Sequence, residues 1–260
     1  MNEPHAPIGL IPAAGLASRL GGFAYPKELL PITYGTGADG RVTPRPVLHA
    51  SLDQLRRAGV TRAIVVIAEW KLDLVRVLGD GAATGVALAY VVRGVPRGLA
   101  DALTAAAPWL DDRDVCLTLP DTVIAPDDAL ARLRAERAAS GADLVLGVFP
   151  TDKPEQLGPT RVAADGRVVE VLDKPTTTDV RNTWGMAVWS PRFTALLIDA
   201  VAATPPDGAG PVLGAVYQRA IDDGLAVRAV WFPAGRFADL GTPEGLAAAQ
   251  AAGIIPAGTP

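Results

Sequence analysis

The chain has 260 residues, of which 49% are hydrophobic and 20% are charged, and 24 Lys and Arg face 28 Asp and Glu for a net charge of −4. This composition argues against a disordered or fibrous chain, and the length suits one large domain with a substantial buried core. The acidic balance and the lack of a basic run argue against DNA or RNA as a partner.

The cysteine content and the N-terminal residues indicate a cellular compartment. Cys116 is the single cysteine, so no intramolecular disulfide can form, as is typical of proteins in a reducing cytoplasm. Residues 1–7 lack the charged and then apolar pattern of a signal peptide. No apolar run in the sequence reaches the length needed to span a membrane. The sequence therefore predicts a cytoplasmic protein without a membrane partner.

Strand-like and helix-like segments alternate through the first half of the chain. Residues 61–68 form a nearly unbroken apolar run, which is typical of a strand buried on both faces of a parallel sheet. Strands are predicted at 8–11, 61–68, 86–92, 115–119 and 143–149, and helices at 47–57, 71–78, 99–107 and 128–139. This alternation predicts an α/β fold with a Rossmann-like mixed sheet, mostly parallel, and helices on both faces.

The second half extends the same sheet. Asp165 and Gly166 separate two short apolar segments, which predicts a β-hairpin. Ser190 and Thr242 each precede a proline and are expected to cap the start of a helix. Further strands are predicted at 183–189 and 226–232 and helices at 190–203 and 212–222. The glycine-rich residues 35–40 are interpreted as a loop or hairpin tip. No repeat or linker interrupts the chain, so residues 1–260 are predicted to form a single domain.

A loop of small residues follows the first predicted strand. The backbone N–H groups of Ala14, Gly15 and Leu16 could contact a phosphate, and Arg19 and Lys27 could supply positive charge to it. Ligands of open α/β sheets bind beyond the carboxyl ends of the strands, where this loop falls. Composition alone would favour a plain surface turn with two solvated cations.

Five motifs resemble those of the sugar-1-phosphate nucleotidyltransferases. The segments P-A-A-G-L-A-S-R-L at 12–20 and P-K-E-L-L-P at 26–31 resemble the family signature in the form of UTP–glucose-1-phosphate uridylyltransferases and glucose-1-phosphate thymidylyltransferases. Four more segments match in order: G-L-A-D-A at 98–102, L-T-L-P-D at 117–121, V-L-D-K-P at 171–175 and F-A-D-L-G-T-P-E at 237–244. Their order and spacing make a chance match improbable.

This resemblance implies a nucleotide-diphospho-sugar transferase fold, an activity and a set of site residues. The implied enzyme transfers a nucleoside monophosphate from an NTP to a sugar 1-phosphate or a similar phosphorylated small molecule, releases pyrophosphate and uses Mg²⁺. A homo-oligomer is possible in such a family. The implied catalytic residues are Arg19, Lys27 and Asp121, the nucleotide-binding residues Ala14, Gly15, Leu16, Arg93 and Gly98, the sugar-phosphate-binding residues Asp173, Lys174 and Gly185, and the metal ligands Asp121 and Asp239.

The sequence also departs from the family pattern. Ala17 replaces a glycine, Arg93 a glutamine, and Trp184 a threonine, and Pro211 stands near the place of a glutamate. A guanidinium donates hydrogen bonds and accepts none, which predicts that the enzyme lacks a strong preference for UTP or dTTP if Arg93 reads the base. Alternatively, Arg93 faces solvent and backbone groups near Gly98 read it.

Two other functions remain open at this point. A catalytically impaired relative could bind a nucleotide or sugar phosphate and regulate a partner. A glycosyltransferase of similar architecture ranks lower, because Asp121 is followed by Thr122 and Val123 rather than by a D-x-D metal motif.

Overall fold

A computed structural model describes residues 6–15, 25–36, 40–205 and 207–255. The strands of these residues are β1 (Ile8–Ala13), β2 (Pro31–Thr36), β3 (Val42–Pro46), β4 (Arg62–Ala68), β5 (Ala87–Arg93), β6 (Val115–Thr118), β7 (Thr122–Ala125), β8 (Leu144–Pro150), β9 (Thr160–Val162), β10 (Val168–Val171), β11 (Asn182–Trp189), β12 (Val227–Trp231) and β13 (Arg236–Asp239). The helices are α1 (Leu48–Arg57), α2 (Asp73–Leu78), α3 (Leu99–Thr104), α4 (Ala129–Ser140), α5 (Pro191–Ala202), α6 (Leu213–Asp222) and α7 (Pro243–Ala251).

The central sheet is mixed and mostly parallel, as predicted. Within the described ranges it has seven strands in the order β12-β8-β11-β6-β1-β4-β5. The pairs β1–β4, β1–β6, β4–β5 and β8–β12 are parallel, whereas β11 is antiparallel to both of its neighbours. The strands that follow helical crossovers in the first half therefore run in one direction, which places their carboxyl ends at one edge.

Each face of the sheet buries its own hydrophobic cluster. Along β1, Ile8 and Leu10 pack into one cluster, and the alternate residues Ile11 and Ala13 pack into the other, because successive side chains of a strand point to opposite faces. Helices α3, α5 and α6 cover the first cluster, and α1 and α4 cover the second. The predicted helices on both faces are confirmed.

Smaller antiparallel pairs complete the structure. The predicted hairpin is confirmed, since β9 pairs with β10 across the turn at Asp165 and Gly166. Strands β2 and β3 form a second hairpin next to the glycine-rich segment, of which residues 37–39 lie outside the described ranges. The pairing of β7 with β13 has no counterpart in the prediction, and it sets Asp239 opposite Thr122.

The helix ends follow local chemistry. Ser190 Oγ accepts a hydrogen bond from the Phe193 N–H at 3.4 Å, and Thr242 Oγ1 accepts one from the Gly245 N–H at 3.0 Å, so both predicted caps are present. Helix α3 is shorter than predicted and ends at Thr104, and a separate 3₁₀ turn follows at Ala107–Trp109. Pro108 in that turn has no N–H to donate to the Thr104 carbonyl, which a continued α-helix would require. Helix α2 begins at Asp73, after a 3₁₀ turn. Among the described residues, every helix is too short or too polar to cross a lipid bilayer.

Candidate active site

A cleft of about 440 Å³ opens beyond the carboxyl ends of β1 and β6. Such a position is the usual ligand site of an open α/β sheet. The structure brings most of the expected site residues into its lining. They are Ala14, Gly15, Lys27, Gly98, Asp121, Asp173, Lys174 and Asp239.

Three charged side chains from distant parts of the chain meet in this cleft. Lys27 lies on a 3₁₀ turn, Asp121 directly precedes β7, and Asp239 ends β13, so the β7–β13 pairing brings the two acids together. Lys27 Nζ donates a hydrogen bond to Asp121 Oδ2, and these side chains are only 12% and 16% exposed. Asp239 Oδ1 accepts a hydrogen bond of 2.8 Å from the Gly241 N–H. We call Lys27, Asp121 and Asp239 the charged centre.

Gly241 lies at the point where the charged centre converges. A Cβ at this position would lie 2.8 Å from Asp121 Oδ2, 2.9 Å from Asp239 Oδ1 and 3.0 Å from Lys27 Nζ. These distances are shorter than an ordinary carbon contact. The lack of a side chain at Gly241 therefore leaves the space in which the three charged atoms approach one another.

The charged centre has the ligand chemistry that Mg²⁺ prefers. Mg²⁺ is usually held by one or two carboxylates, with waters and substrate phosphate oxygens completing its coordination. Asp121 and Asp239 supply two carboxylates at one place, and the described residues contain no group of three or more acids, histidines or cysteines able to hold a metal alone. The residues fit a magnesium ion that is shared with a phosphorylated substrate.

A buried ion pair lies behind the charged centre. Lys71 Nζ donates to Glu28 Oε1 at 2.7 Å and to the backbone oxygen of Ala13 at 2.9 Å, and the two side chains are 3% and 1% exposed. Burial raises the pKa of Glu28 and lowers the pKa of Lys71, and the attraction between the two charges opposes both shifts. Lys71 thus links the end of β1 to the turn that carries Lys27.

We expect Lys71→Met to destabilise the protein by about 3 kcal/mol, because it leaves the Glu28 carboxylate buried without a partner. Urea unfolding measures this loss. The double variant Glu28→Gln/Lys71→Met should recover part of it, since no unpaired charge remains buried. Lys153→Met, at an exposed position, is the control. Equal stability of the two methionine variants would contradict the prediction.

A second wall of the cleft comes from the later half of the chain. Lys174, in the left-handed region with φ of 44°, donates its backbone N–H to the Leu157 oxygen at 2.9 Å. Trp184 donates its backbone N–H to the Gly158 oxygen at 3.1 Å, and its indole packs edge-on against Tyr217, with the ring centroids 5.2 Å apart. A side chain at Gly158 would collide with the indole. Trp184 lines the cleft together with Asp173 and Lys174.

The structure does not bring all of the expected residues into the cleft lining. The Arg93 guanidinium is bound by Asp101 rather than directed at the lining, and the side chain is 40% exposed. Gly185 is buried against Phe237, where a Cβ would lie 2.7 Å from the ring, and it is not part of the cleft lining. Leu16 and Arg19 lie outside the described residues.

Sequence reasoning missed four residues around the cleft: Glu28, Lys71, Asp101 and Gly241. The spacing of Arg97 and Asp101 at i, i+4 was a local signal for an ion pair at the start of α3. Gly241 lies inside the motif at 237–244, but the sequence alone gave no reason why this position should be a glycine. The Glu28–Lys71 pair joins residues 43 positions apart, and no local pattern marks such a pair.

A sequence model of the family described as Nucleotidyl transferase matches residues 27–253. The chain belongs to this nucleotidyl transferase family. The match covers most of the chain and includes four of the five motifs in full. The resemblance to the sugar-1-phosphate nucleotidyltransferases is confirmed at the level of the family.

The relatives that this chain matches are longer proteins. The low-salt glycan biosynthesis nucleotidyltransferase Agl11 of Haloferax volcanii is 28% identical over 91% of this chain and 63% of its own length. A glucose-1-phosphate thymidylyltransferase of Streptomyces antibioticus is 28% identical over 82% of this chain and 61% of its own length. The chain thus spans about three fifths of these relatives.

Solved structures share the fold of this chain. A candidate glucose-1-phosphate thymidylyltransferase of Bacillus anthracis, in complex with sucrose, superimposes with a TM-score of 0.81 at 20% identity and covers 95% of both chains. A UTP-bound UGPase of Acinetobacter baumannii gives a TM-score of 0.72 at 19% identity over 93% of this chain and 91% of its own. At this identity the likeness establishes the fold.

Proposed function

We propose that this protein transfers a nucleoside monophosphate from an NTP to a sugar 1-phosphate, or to a similar phosphorylated small molecule, and releases pyrophosphate. The observation that carries the proposal is the charged centre: Lys27, Asp121 and Asp239 converge around Gly241 in a cleft that also contains Lys174. Family membership and the names of the relatives support the same reaction class.

The proposed reaction is a direct displacement at phosphorus. An oxygen of the acceptor phosphate attacks the α-phosphorus, the bond from that phosphorus to the bridging oxygen breaks, and pyrophosphate leaves with the electron pair. No covalent intermediate with the protein is needed. The chain's contribution is to position the two substrates and to neutralise charge that develops on the phosphoryl oxygens.

Each cation of the site has a distinct part in this proposal. When the NTP binds, Lys27 Nζ leaves the Asp121 carboxylate and binds an oxygen of the α-phosphate instead. Its flexible side chain and compact ammonium allow it to move to the stronger local negative charge. Lys174, on the opposite wall, holds the acceptor phosphate. Arg19 is proposed to hold the leaving pyrophosphate.

Magnesium would be held by Asp121 and Asp239 and, when bound, would supply charge neutralisation for the phosphate oxygens. In the structure described here the Lys27 ammonium already contacts one of these two carboxylates, that of Asp121.

The proposed function is tested with a panel of ATP, GTP, CTP, UTP and dTTP against sugar 1-phosphates in the presence of Mg²⁺. We expect pyrophosphate and a nucleoside-diphosphate sugar in equal amounts for at least one pair. Nucleotide binding without pyrophosphate release for any pair would refute catalysis and favour a regulatory relative.

Replacing the two cleft lysines separately should give different kinetic patterns. Lys27→Ala is expected to lower kcat about tenfold or more, because the charge on the α-phosphoryl group grows in the transition state. Lys174→Ala should mainly raise the KM for the sugar phosphate, with a smaller change for the NTP. Initial-rate kinetics with each substrate varied in turn measures both effects, and identical patterns for the two variants would contradict this division of roles.

A further inference from the structure

We infer that Asp101 is a positioning residue for the nucleotide, acting through Arg93 and Arg97 on the segment of residues 94–98. This inference rests on the proposed function and on the nucleotide-binding role that the family resemblance implies for Gly98, at the end of this segment. It gives the departure at Arg93 a physical role: instead of reading the base, the guanidinium helps to hold one wall of the cleft in place.

Asp101 is the common partner of two arginines. Its carboxylate is 1% exposed and accepts hydrogen bonds from Arg93 Nη2 at 2.9 and 3.0 Å and from Arg97 Nη2 at 3.1 Å. The Arg97 backbone N–H also donates to Asp101 Oδ2 at 3.1 Å. Burial alone would raise the pKa of Asp101, but these hydrogen bonds and the charge of Arg93 outweigh burial and lower it.

The segment between the two arginines forms part of the cleft wall. Pro96 and Gly98 lie in the lining, followed by Leu99 and Ala102 on α3, whereas Asp101 does not. Arg93 ends β5, so Asp101 joins the last residue of the edge strand to the first turn of α3 and closes the segment into a loop. The position of the wall therefore depends on the carboxylate behind it.

Arg97 also ties this loop to a second one. Its Nη1 donates to the Pro205 oxygen at 2.8 Å, and its backbone oxygen accepts a hydrogen bond of 2.7 Å from the Gly210 N–H. Gly98, with φ of 139°, has a conformation that L side chains rarely adopt, and a Cβ there would lie 3.8 Å from the Gly210 oxygen. The Asp101 carboxylate thus holds the Arg97 guanidinium, which contacts Pro205, while the backbone oxygen of the same residue contacts Gly210.

A neutral amide cannot replace this carboxylate. All the groups that face Asp101 from Arg93 and Arg97 are donors, and the ionised carboxylate accepts at both oxygens. An Asn side chain has one accepting oxygen and turns two N–H donors toward the remaining guanidinium. Asp101→Asn should therefore release at least one arginine while keeping the shape of the side chain.

The first experiment measures substrate KM values. Asp101→Asn is expected to raise the KM for the NTP about tenfold, because a displaced binding wall costs affinity and alignment, with little change in the KM for the sugar phosphate. Asp73→Asn is the matched control, since Asp73 pairs with Arg76 at 2.8 Å on the exposed surface of α2. In the double variant Arg93→Gln/Asp101→Asn, the free-energy cost calculated from the NTP KM should be smaller than the sum of the costs in the two single variants. The reason is that Arg93→Gln removes a guanidinium donor that Asp101→Asn has left without a partner.

Hydrogen exchange gives a readout that does not depend on turnover. In the unliganded protein, the Arg97 and Gly210 amides should exchange faster in Asp101→Asn than in the wild type, and the amides of β4 should be unchanged. If these two amides keep their protection, or if the KM values of both substrates rise together, the inference is overturned. If no NTP and acceptor pair is turned over by the wild type, the proposed function fails, and calorimetric binding of the same NTPs to both forms then decides the inference.

Discussion

Asp121→Asn and Asp239→Asn should each lower kcat by about a hundredfold or more, because each change removes a negative charge from the pair of carboxylates proposed to hold Mg²⁺. The two acids approach the same point, at 2.8 and 2.9 Å from where a Gly241 Cβ would lie. Since neither carboxylate alone forms a complete metal site, the loss of either one should be nearly as severe as the loss of both.

The Mg²⁺ dependence separates this explanation from a folding defect. Each Asn variant should need a higher Mg²⁺ concentration for half-maximal rate, whereas its urea unfolding midpoint should remain close to that of the wild type. Asp53→Asn is the control, since Asp53 lies outside the cleft and forms ion pairs there with Arg45 at 2.7 Å and Arg56 at 3.8 Å. Turnover near the wild-type level in both variants at limiting Mg²⁺ would show that these acids do not hold the metal.

The sheet could be predicted from the sequence because its signals are local. The apolar run that became β4 is buried along nearly its whole length, and its parallel neighbours on both sides follow from the alternation of strands and helices. The caps at Ser190 and Thr242 are also local, since each depends on one side chain and an N–H group three residues later.

The charged centre was predictable only in part. Asp121 follows a buried strand, so its place at the carboxyl edge of the sheet could be expected. Asp239 reaches it through β7 and β13, two strands of four residues each, whose residues are mostly half-buried and show no clear alternation. The register of so short a pair depends on tertiary packing rather than on a pattern in either strand.

The orientation of Arg93 was beyond the reach of a sequence argument. Its position relative to the cleft motif suggested contact with the base. In the structure the guanidinium instead binds the carboxylate of Asp101, which is 1% exposed. Whether a guanidinium turns toward a ligand or toward a buried acid depends on where β5 ends relative to α3. That relation exists only in the folded chain, and the five motifs contain no signal for it.

Gly241→Ala should lower kcat about a hundredfold while leaving the unfolding midpoint almost unchanged. The backbone of Gly241 is outside the left-handed region, so alanine can adopt its conformation. The added methyl group would meet the ends of three flexible side chains, Asp121, Asp239 and Lys27, each of which can move aside at little cost in stability.

The movement should lower kcat instead, because these three side-chain ends are the groups proposed to hold the metal and the α-phosphate. Gly208→Ala is the control, since a Cβ there would make only ordinary contacts, the shortest being 3.4 Å to the Pro205 oxygen. Steady-state kinetics and urea unfolding of the two alanine variants measure the effect on activity and stability separately. A Gly241→Ala protein with wild-type kcat would mean that the charged centre tolerates displacement and therefore does not position the reacting phosphates, whereas a loss of stability in step with kcat would assign Gly241 to folding alone.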